Sequence, residues 1–396
     1  MKQHLHPMPL KRGLSLLCLV GASLVLSSAP VQAQYELISG LQIPLGITQS
    51  NQGNLLVSES GTRAPNTGRI SVVDLEGNRW TLVGGLPSGI NDVNAPSGPA
   101  GLFMRGRTLY VAMGIGNSIL AGPLPRTALP NPNPSSPIFS SVLAIHFSAN
   151  VEKTTAGFML TPADQEALAS GEKVTLRNGG GDEIAVELVA NFPDYTPDPL
   201  PTFPPNVRGS NPFSLVVGGD QVYVTDGGMN LLWQVDIPTG AFAPLAVFPN
   251  IPNPLFPILG GPFVEPVPTG VRYSDGQLLV ALFTGFPFAP GISQIRSVDP
   301  ETGAQSPFIT GLKTAIDVLP IRDGRDTHYL VLQHASPTGP FFPPPGLVLL
   351  FEAAGGPPII IDNSLITPTS MALDEKTDTV YVTELAGRIV AIPLAP

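Results

Sequence analysis

The stretch RGSNPFSLVVGGDQVYVTDGGMNLLWQVD, residues 208–236, contains three short apolar segments separated by turn residues. PFSL (212–215), QVYVTD (221–226) and LLWQVD (231–236) are rich in Val, Leu and aromatic residues, and Gly, Asp and Asn stand between them. Runs of this length between such turns predict antiparallel β-strands joined by short connections. A fourth apolar run, APLAVF (243–248), follows and completes a four-stranded unit.

The same unit recurs along the chain. Six runs resemble the second strand: NLLVSE (54–59), TLYVAM (108–113), QVYVTD (221–226), QLLVAL (277–282), YLVLQ (329–333) and TVYVTE (379–384). Each follows a first-strand motif of the form Pro-x-small-apolar, with AIDV as the deviant member: PLGI (44–47), PAGL (99–102), PFSL (212–215), PTGV (268–271), AIDV (315–318) and PTSM (368–371). Six four-stranded antiparallel units predict an all-β fold, a six-bladed β-propeller.

Only five of the six units have a fourth strand of their own. The last unit, residues 368–393, lacks one, whereas YELISGL (35–41) matches the fourth-strand pattern near the other end of the chain. We therefore expect residues 35–41 to complete the last blade and close the ring without a covalent bond. An open β-solenoid or two β-sandwiches would also contain many strands. Neither explains why the unmatched strand and the incomplete unit lie so far apart in the sequence.

Composition excludes two classes of protein. Charged residues are 13% of the chain and hydrophobic residues 43%, which is not typical of a disordered chain. The formal net charge of −10 leaves no basic surface to neutralise phosphates, so we expect no nucleic-acid partner. The 46 Pro and 42 Gly predict many loops and little helix.

The first 33 residues have the pattern of a secretory signal peptide. Basic residues precede an apolar run at 14–26, and Val-Gln-Ala (31–33) resembles a cleavage site. The run is shorter than the roughly 20 residues that span a membrane, and Leu precedes Cys18, where a lipoprotein signal has a small residue. We expect cleavage near Ala33 and a secreted or periplasmic protein with no transmembrane segment, whose residues 34–396 form a single propeller.

Nearly all the long loops fall on one face of the predicted propeller. In each blade the second-to-third and fourth-to-first connections share that face, and they include residues 115–139, 190–211, 249–267, 284–292 and 334–345. These loops are rich in Pro and carry Phe286 and Phe288, which predicts an apolar cap that binds an aromatic or apolar ligand. Alternatively, the aromatic side chains only pack the loops together. One long segment, about 148–182, is inserted on the opposite face, and TPADQEALASG (161–171) within it predicts a short helix.

Two columns of the repeat line the predicted channel. The third position of the first-strand motif is Gly or Ser in five units and Asp317 in the other. The last position of the second strand is acidic in three units, as Glu59, Asp226 and Glu384. Together with Asn211 from a nearby loop, Asp317 and Asp226 form a candidate site for a divalent cation such as Ca²⁺, because that ion prefers carboxylate and amide oxygens. The alternative is that these oxygens accept hydrogen bonds from loop amides.

Among the histidines, His334 at the end of a second strand is the one placed for acid–base chemistry. No Cys nucleophile and no G-x-S-x-G motif is present in the mature sequence. No catalytic residue is identified. The candidate ligand-binding residues are therefore Asn211, Asp226, Asp317, His334, Glu384, Phe286 and Phe288.

The sequence resembles the ScyD/ScyE family of exported propeller proteins, which are encoded with genes for the cyanobacterial sunscreen scytonemin. The segments that carry the resemblance are ELVANFPDY (187–195), RGSNPFSLVVGGDQVYVTDGGMNLLWQVD (208–236), VPTGV (267–271), LFTGFPFAPG (282–291) and AIDV (315–318). The strand repeats alone would fit any NHL-like or SMP30-like propeller. The resemblance implies a link to secondary-metabolite production, and it supplies no catalytic residues.

Two functions of different classes remain open. The favoured one is a binding or scaffold module that presents the Pro- and Phe-rich loops to a small aromatic molecule or to a partner protein. The alternative is a metal-assisted hydrolase or lyase of SMP30-like or strictosidine-synthase-like type, which would use a channel cation and the channel carboxylates. A quinone-cofactor dehydrogenase would need a channel rich in His and Arg, which three histidines in the mature chain hardly supply.

Overall fold

The computed structural model describes residues 34–154 and 156–394, and the predicted signal peptide lies outside these ranges. Six blades, each built on four antiparallel strands, dominate the described residues. Blades 1–3 are Pro44–Gln49, Leu55–Glu59, Gly68–Val73 and Arg79–Leu86; Pro99–Arg105, Thr108–Met113, Ser141–Phe147 and Glu183–Asn191; and Pro212–Gly218, Gln221–Asp226, Leu231–Asp236 and Phe242–Val247. Blades 4–6 are Pro268–Ser274, Gln277–Leu282, Ser293–Val298 and Gln305–Leu312; Ala315–Asp323, Asp326–Gln333, Gly346–Phe351 and Ile359–Leu365; and Pro368–Asp374, Thr379–Glu384, Arg388–Pro393 and Tyr35–Ile38.

Four two-stranded ribbons lie in the connections: Gly89–Ile90 with Pro96–Ser97, Ile119–Ala121 with Ala128–Pro130, Tyr195–Pro197 with Val207–Gly209, and Ile251–Pro252 with Phe263–Val264. The helices of the described residues are a 3₁₀ turn, Val151–Lys153, and one α-helix, Pro162–Ala169. No helix of the described part of the chain is long and apolar enough to cross a membrane.

The first strands of the six blades contact one another in a closed ring. Each one packs against the first strand of the next blade, and that of blade 6 packs against that of blade 1. The ring closes as predicted, because Tyr35–Ile38 pairs antiparallel with the third strand of blade 6. Leu41 N donates a hydrogen bond of 2.9 Å to Gly387 O and continues this attachment. The predicted six-bladed propeller, closed by an N-terminal strand, is confirmed.

The apolar core lies between the blades. In the second strand of blade 1, Leu56 belongs to the cluster shared with blade 2, whereas Leu55 and Val57 belong to the cluster shared with blade 6. Successive side chains of a strand point to opposite faces, and here both faces are covered by a neighbouring blade. This is why the second strands are continuous apolar runs instead of alternating ones.

The inserted segment extends the outer edges of blades 1 and 2. Phe158–Met159 pairs in parallel with the outer strand of blade 1, and Val174–Arg177 adds a fifth strand to blade 2. The α-helix between them has Thr161 as its N-cap, and Thr161 and Asp164 form a capping box. Leu168 of this helix is fully buried in the cluster between the two blades. The insertion therefore covers two sheet edges and joins adjacent blades.

The closing strand should contribute more to stability than an ordinary chain end. A chain that begins at Gln42 loses the pairing of Tyr35–Ile38 and the buried side chain of Leu41. We expect its melting temperature to fall by about 5 °C or more relative to a chain that begins at Gln34. The matched control is Glu36→Gln, which removes only the half-exposed ion pair with Arg388. Equal melting of the shortened chain and the control would contradict this role.

Candidate functional site

Four blades use the same polar anchor at the end of the second strand. The anchor side chain accepts a hydrogen bond from the backbone N–H of a residue that stands one or two positions before the first strand of its own blade. The acceptor and donor pairs are Glu59 with Gln42, Asp226 with Asn211, Gln333 with Lys313, and Glu384 with Ile366. The anchors therefore fix the loops that lead to the channel.

The carboxylates of the two glutamate anchors also interact with neighbouring arginines. Arg69 and Arg388 form ion pairs with Glu59 and Glu384, at the same position of blades 1 and 6. Burial raises the pKa of Glu59, but the hydrogen bonds from Arg69 and Ser71 outweigh it and keep this pKa below its usual value. Glu59 is therefore charged at pH 7 while it holds its loop.

Asp226 is the most densely hydrogen-bonded of the anchors. Its carboxylate accepts hydrogen bonds from Ser210 Oγ at 2.6 Å, from Trp233 Nε1 at 3.1 Å and from the backbone N–H of Asn211, Gly228 and Met229. These contacts match the alternative in which the carboxylate accepts hydrogen bonds from a turn.

Asp317 forms an ion pair between the first strands of the adjacent blades 4 and 5. Its Oδ2 lies 2.7 Å from Arg272 Nη2, and it also accepts hydrogen bonds from Ser370 Oγ and Met371 N. Burial raises the pKa of Asp317, and the Arg272 charge opposes this effect. The first-strand motifs around the pair leave a cavity of only about 10 Å³, about the space that one water needs. We call this constriction the waist.

Arg272 is a site residue that the sequence analysis missed. It stands two positions after the motif residue Gly270, and the equivalent residues of the other blades are Thr48, Phe103, Val216, Leu319 and Ala372. A single arginine in an otherwise uncharged column is the same kind of signal that singled out Asp317. A comparison of this second column would have revealed the partner.

The three predicted cation ligands do not line a common cavity. Asp317 lies at the waist, Asn211 lines a separate cleft on the loop face, and Asp226 is buried in its turn. Among the described residues, no group of three or more His, Cys, Asp or Glu side chains is placed to hold a metal ion. The cation site stays a prediction.

Phe286 and Phe288 belong to an aromatic cluster on the loop face. The other members are Phe283, His334, Phe341 and Phe342, and the closest ring centroids are those of Phe288 and Phe342, 4.3 Å apart. His334 Nδ1 lies 2.8 Å from the Pro368 carbonyl oxygen, which makes Nδ1 the protonated nitrogen. Burial lowers the pKa of His334, so the ring is neutral at pH 7 and packs as an aromatic side chain.

Lys313 is a fully buried cation under this cluster. Its Nζ donates hydrogen bonds to the carbonyl oxygens of Phe288 and Gly339, which belong to two different loops. Within the described ranges no carboxylate lies within ion-pair distance of it, and burial lowers the pKa of Lys313 to about 8. The lysine therefore ties together the two loops that carry the phenylalanines.

A cavity of about 640 Å³, which we call the rim cleft, opens on the loop face beside the cluster. Its apolar lining includes Ile115, Ile119, Val264, Phe263 and Phe286, and its polar lining includes Asn211, Asp92, Arg126, Arg208 and Glu265. Of the predicted ligand-binding residues, the cleft brings together Asn211 and Phe286. The others lie in the aromatic cluster, at the waist or in the polar anchors.

The charged groups of the rim cleft differ in whether they already have a partner within the protein. Arg208 is paired with Glu265 at 2.6 Å. The Arg126 guanidinium carbon lies 4.9 Å from the centre of the Phe286 ring, and within the described residues this side chain has no hydrogen bond or ion pair. Burial raises the pKa of Asp92. The cleft thus offers a cation stacked on an aromatic ring, above apolar walls.

Comparison with known proteins finds solved structures that are only distantly similar to this chain. No family model matches the chain, and no curated protein matches it. A gluconolactonase from Xanthomonas campestris is 12% identical, with 92% of this chain and 91% of that chain covered and a TM-score of 0.49. The PQQ-bound aldose sugar dehydrogenase from Streptomyces coelicolor is 14% identical, with 92% and 97% covered and a TM-score of 0.47. The resemblance to the ScyD/ScyE family remains a prediction from the sequence.

The buried pair at the waist should be strongly coupled. Arg272→Val leaves the Asp317 carboxylate buried without its partner, and we expect a loss of about 3–5 kcal/mol in the free energy of unfolding. Adding Asp317→Ser supplies the two residues that blade 3 has in these columns, Ser214 and Val216, and should recover much of that loss. Denaturant unfolding of both single variants and the double variant measures the coupling.

An exposed pair between the same two blades is the control for that cycle. Arg322 and Asp275 lie 2.9 Å apart, but their side chains are 70% and 50% exposed. Arg322→Val should therefore cost no more than about 1 kcal/mol. Purely additive effects of the Arg272 and Asp317 substitutions would contradict the coupling.

Lys313 should give the folded protein a pH dependence above pH 8. Because its folded pKa of about 8 lies below the ordinary value of 10.5, the unfolded chain binds more protons between these values. The unfolding free energy of the wild type, relative to Lys313→Met, should therefore rise as the pH increases through this window. The exposed Lys376→Met variant is the control and should show no such trend. A pH-independent difference between wild type and Lys313→Met would argue against the lowered pKa.

Proposed function

We propose that the protein is an exported ligand-binding propeller whose rim cleft holds a small molecule with an aromatic or apolar body and an anionic group. The observation that supports this best is the Arg126 guanidinium over the Phe286 ring at the wall of a 640 Å³ cleft. Clefts of about 300–1,000 Å³ with mainly apolar walls and a few polar groups are typical of small-molecule sites.

The walls of the rim cleft expose apolar surface that a ligand would bury. Phe263 is 60% exposed and Phe286 is 37% exposed, although both are large apolar side chains. Complete burial of a phenylalanine side chain is worth about 1.5–3 kcal/mol, and covering the exposed part of either ring contributes a corresponding fraction. An aromatic ligand would gain this contribution and the contact with Arg126, whose unused N–H donors suit a carboxylate.

The loops around the rim cleft are held in place before any ligand binds. Pro287 and Pro290 restrict the loop that carries Phe286, and Lys313 ties that loop to its neighbour. Ordering a stiff loop around a ligand costs less conformational entropy than ordering a flexible one. Preformation of this kind supports a binding site.

The hydrogen bonding of the channel carboxylates favours binding over metal-assisted catalysis. A hydrolase or lyase of the alternative type needs carboxylate oxygens that are free to hold a cation. The oxygens of Asp226 and Asp317 instead accept hydrogen bonds from protein donors. Of the Glu384 oxygens, one pairs with Arg388 and the other accepts a hydrogen bond from Ile366 N. The metal-assisted enzyme is therefore the second candidate function, and the measurements with Ca²⁺ described below test it.

The proposals about export and about the biological pathway are based on the sequence alone. Export is proposed from the pattern of the first 33 residues, and a link to secondary-metabolite production is proposed from the resemblance to the ScyD/ScyE family. A partner protein on the same Phe-rich loops is the other occupant that this setting allows.

The rim cleft can be tested by calorimetry with indole and indole-3-carboxylate. We expect the carboxylate to bind more tightly than indole, Phe286→Ala to weaken both by about 1–3 kcal/mol, and Arg126→Gln to remove the preference for the carboxylate. Tyr273→Ala, which removes an exposed aromatic ring that does not line the cleft, is the control.

Two outcomes would redirect the proposal. A lower melting temperature of Phe286→Ala without any change in affinity would assign this ring to loop packing. Stabilisation of the wild type by Ca²⁺ that is lost in Asp317→Asn, together with turnover of any compound, would favour the metal-assisted enzyme.

A further inference from the structure

A second cavity lies at the other mouth of the channel. Its volume is about 450 Å³, and we call it the lower chamber. It is lined by the far ends of the first strands of blades 1, 2, 4, 5 and 6, including Thr48, Phe103, Arg272, Leu319 and Met371. None of these residues lines the rim cleft, and the waist between the two is too narrow for anything larger than about one water. The lower chamber is therefore a separate space.

Arg272 reaches the lower chamber with unused donors. Its Nη2 donates hydrogen bonds to Asp317 Oδ2 at 2.7 Å and to Met371 O at 3.0 Å, which occupies both hydrogens of this nitrogen. Within the described residues the Nε and Nη1 donors have no partner, and the side chain is 15% exposed. A partly buried guanidinium with three N–H groups left over is a directed donor for a ligand oxygen.

The arrangement around Arg272 favours an uncharged oxygen. A carboxylate binds arginine best through two parallel donors, and in both such pairs one donor belongs to Nη2, which is already occupied. Asp317 also neutralises the guanidinium, so a second carboxylate would leave a net negative charge in a confined space. A carbonyl or hydroxyl oxygen needs only one donor and adds no charge.

The remaining walls agree with an amphipathic, uncharged ligand. Phe103, Leu319 and Met371 provide apolar surface to the chamber, and Thr48 provides a polar side chain. At the mouth, Asp374 accepts hydrogen bonds from Lys376 N and Thr377 Oγ1 in its own turn, and Glu375 and Lys376 carry opposite charges at exposed positions. The mouth therefore has no strong excess of positive charge to attract an anion.

We propose that the lower chamber is a second binding site, which takes an uncharged amphipathic small molecule and holds its carbonyl or hydroxyl oxygen on the free donors of Arg272. The site is independent of the one proposed in the rim cleft. The protein would then bind a different kind of ligand on each of its two faces, and the Arg272–Asp317 pair would lie at the inner end of the lower site.

The test uses the chain from Gln34 onward and the matched probes benzamide and benzoate, titrated by NMR. Binding is measured only from the signals of residues that line the lower chamber, such as Thr48 and Met371, because benzoate also fits the ligand class proposed for the rim cleft. We expect benzamide to bind saturably and at least about fivefold more tightly than benzoate. Arg272→Lys keeps a cation beside Asp317 but removes the guanidinium donors, and it should weaken benzamide about tenfold, the effect of one hydrogen bond. Leu319→Trp fills the chamber while leaving the ion pair in place, and it should abolish binding.

Controls separate this site from the rim cleft and from unfolding. Phe286→Ala should leave the affinity for benzamide unchanged, so loss of the rim site and loss of the lower site are distinguishable. Thermal melting shows whether each variant is folded. If Arg272→Lys does not fold, the binding of benzamide to Leu319→Trp decides whether the lower chamber is the site. Equal or tighter binding of benzoate, no saturable binding of benzamide, or unchanged binding to folded Leu319→Trp would each overturn the proposal.

Discussion

The close approach of neighbouring first strands at the propeller axis is the constraint on which the rest of the structure depends. A Cβ atom on Gly46 would lie 2.3 Å from the carbonyl oxygen of Ala100, and one on Gly101 would lie 2.5 Å from the Cα of Ser214. Neither distance is compatible with a side chain, so these two positions must be glycine. The same crowding narrows the channel to the waist, and the rim cleft and the lower chamber lie on opposite sides of it.

The repeat predicts the fold because the apolar runs, the turns and the column of small residues all indicate the same blade. Apolar runs of strand length, turn residues between them and a column of Gly and Ser recur six times, so the unmatched strand at 35–41 could be assigned to the last blade. The continuous apolar second strands follow from burial on both faces by adjacent blades. No single run carries this information, but the register among the six runs does.

The candidate site was less predictable, because spacing along the chain does not show which side chains converge. Asp317 was identified as unusual in its column, but its partner Arg272 belongs to a different blade and a different column. Glu384 and Asp226 were identified as acidic rim positions, and only the three-dimensional structure shows them fixing the loops before the first strands. Phe286 and Phe288 both belong to the aromatic cluster, but of the two only Phe286 also lines the rim cleft.

Polar side chains in this protein are mostly committed to architecture, and this restricts where chemistry can occur. A chain with one cysteine cannot form an internal disulfide, and its loops are held instead by buried polar groups: the second-strand anchors, the ion pair at the waist and Lys313. A group whose hydrogen bonds are all used in this way has nothing left for a ligand. Arg126 in the rim cleft and Arg272 in the lower chamber differ because each sits at a cavity wall with N–H donors to spare. Since the waist separates the two arginines, ligands at the two mouths would meet different surroundings: an exposed guanidinium on an aromatic ring in one, and a neutralised, partly buried guanidinium in the other.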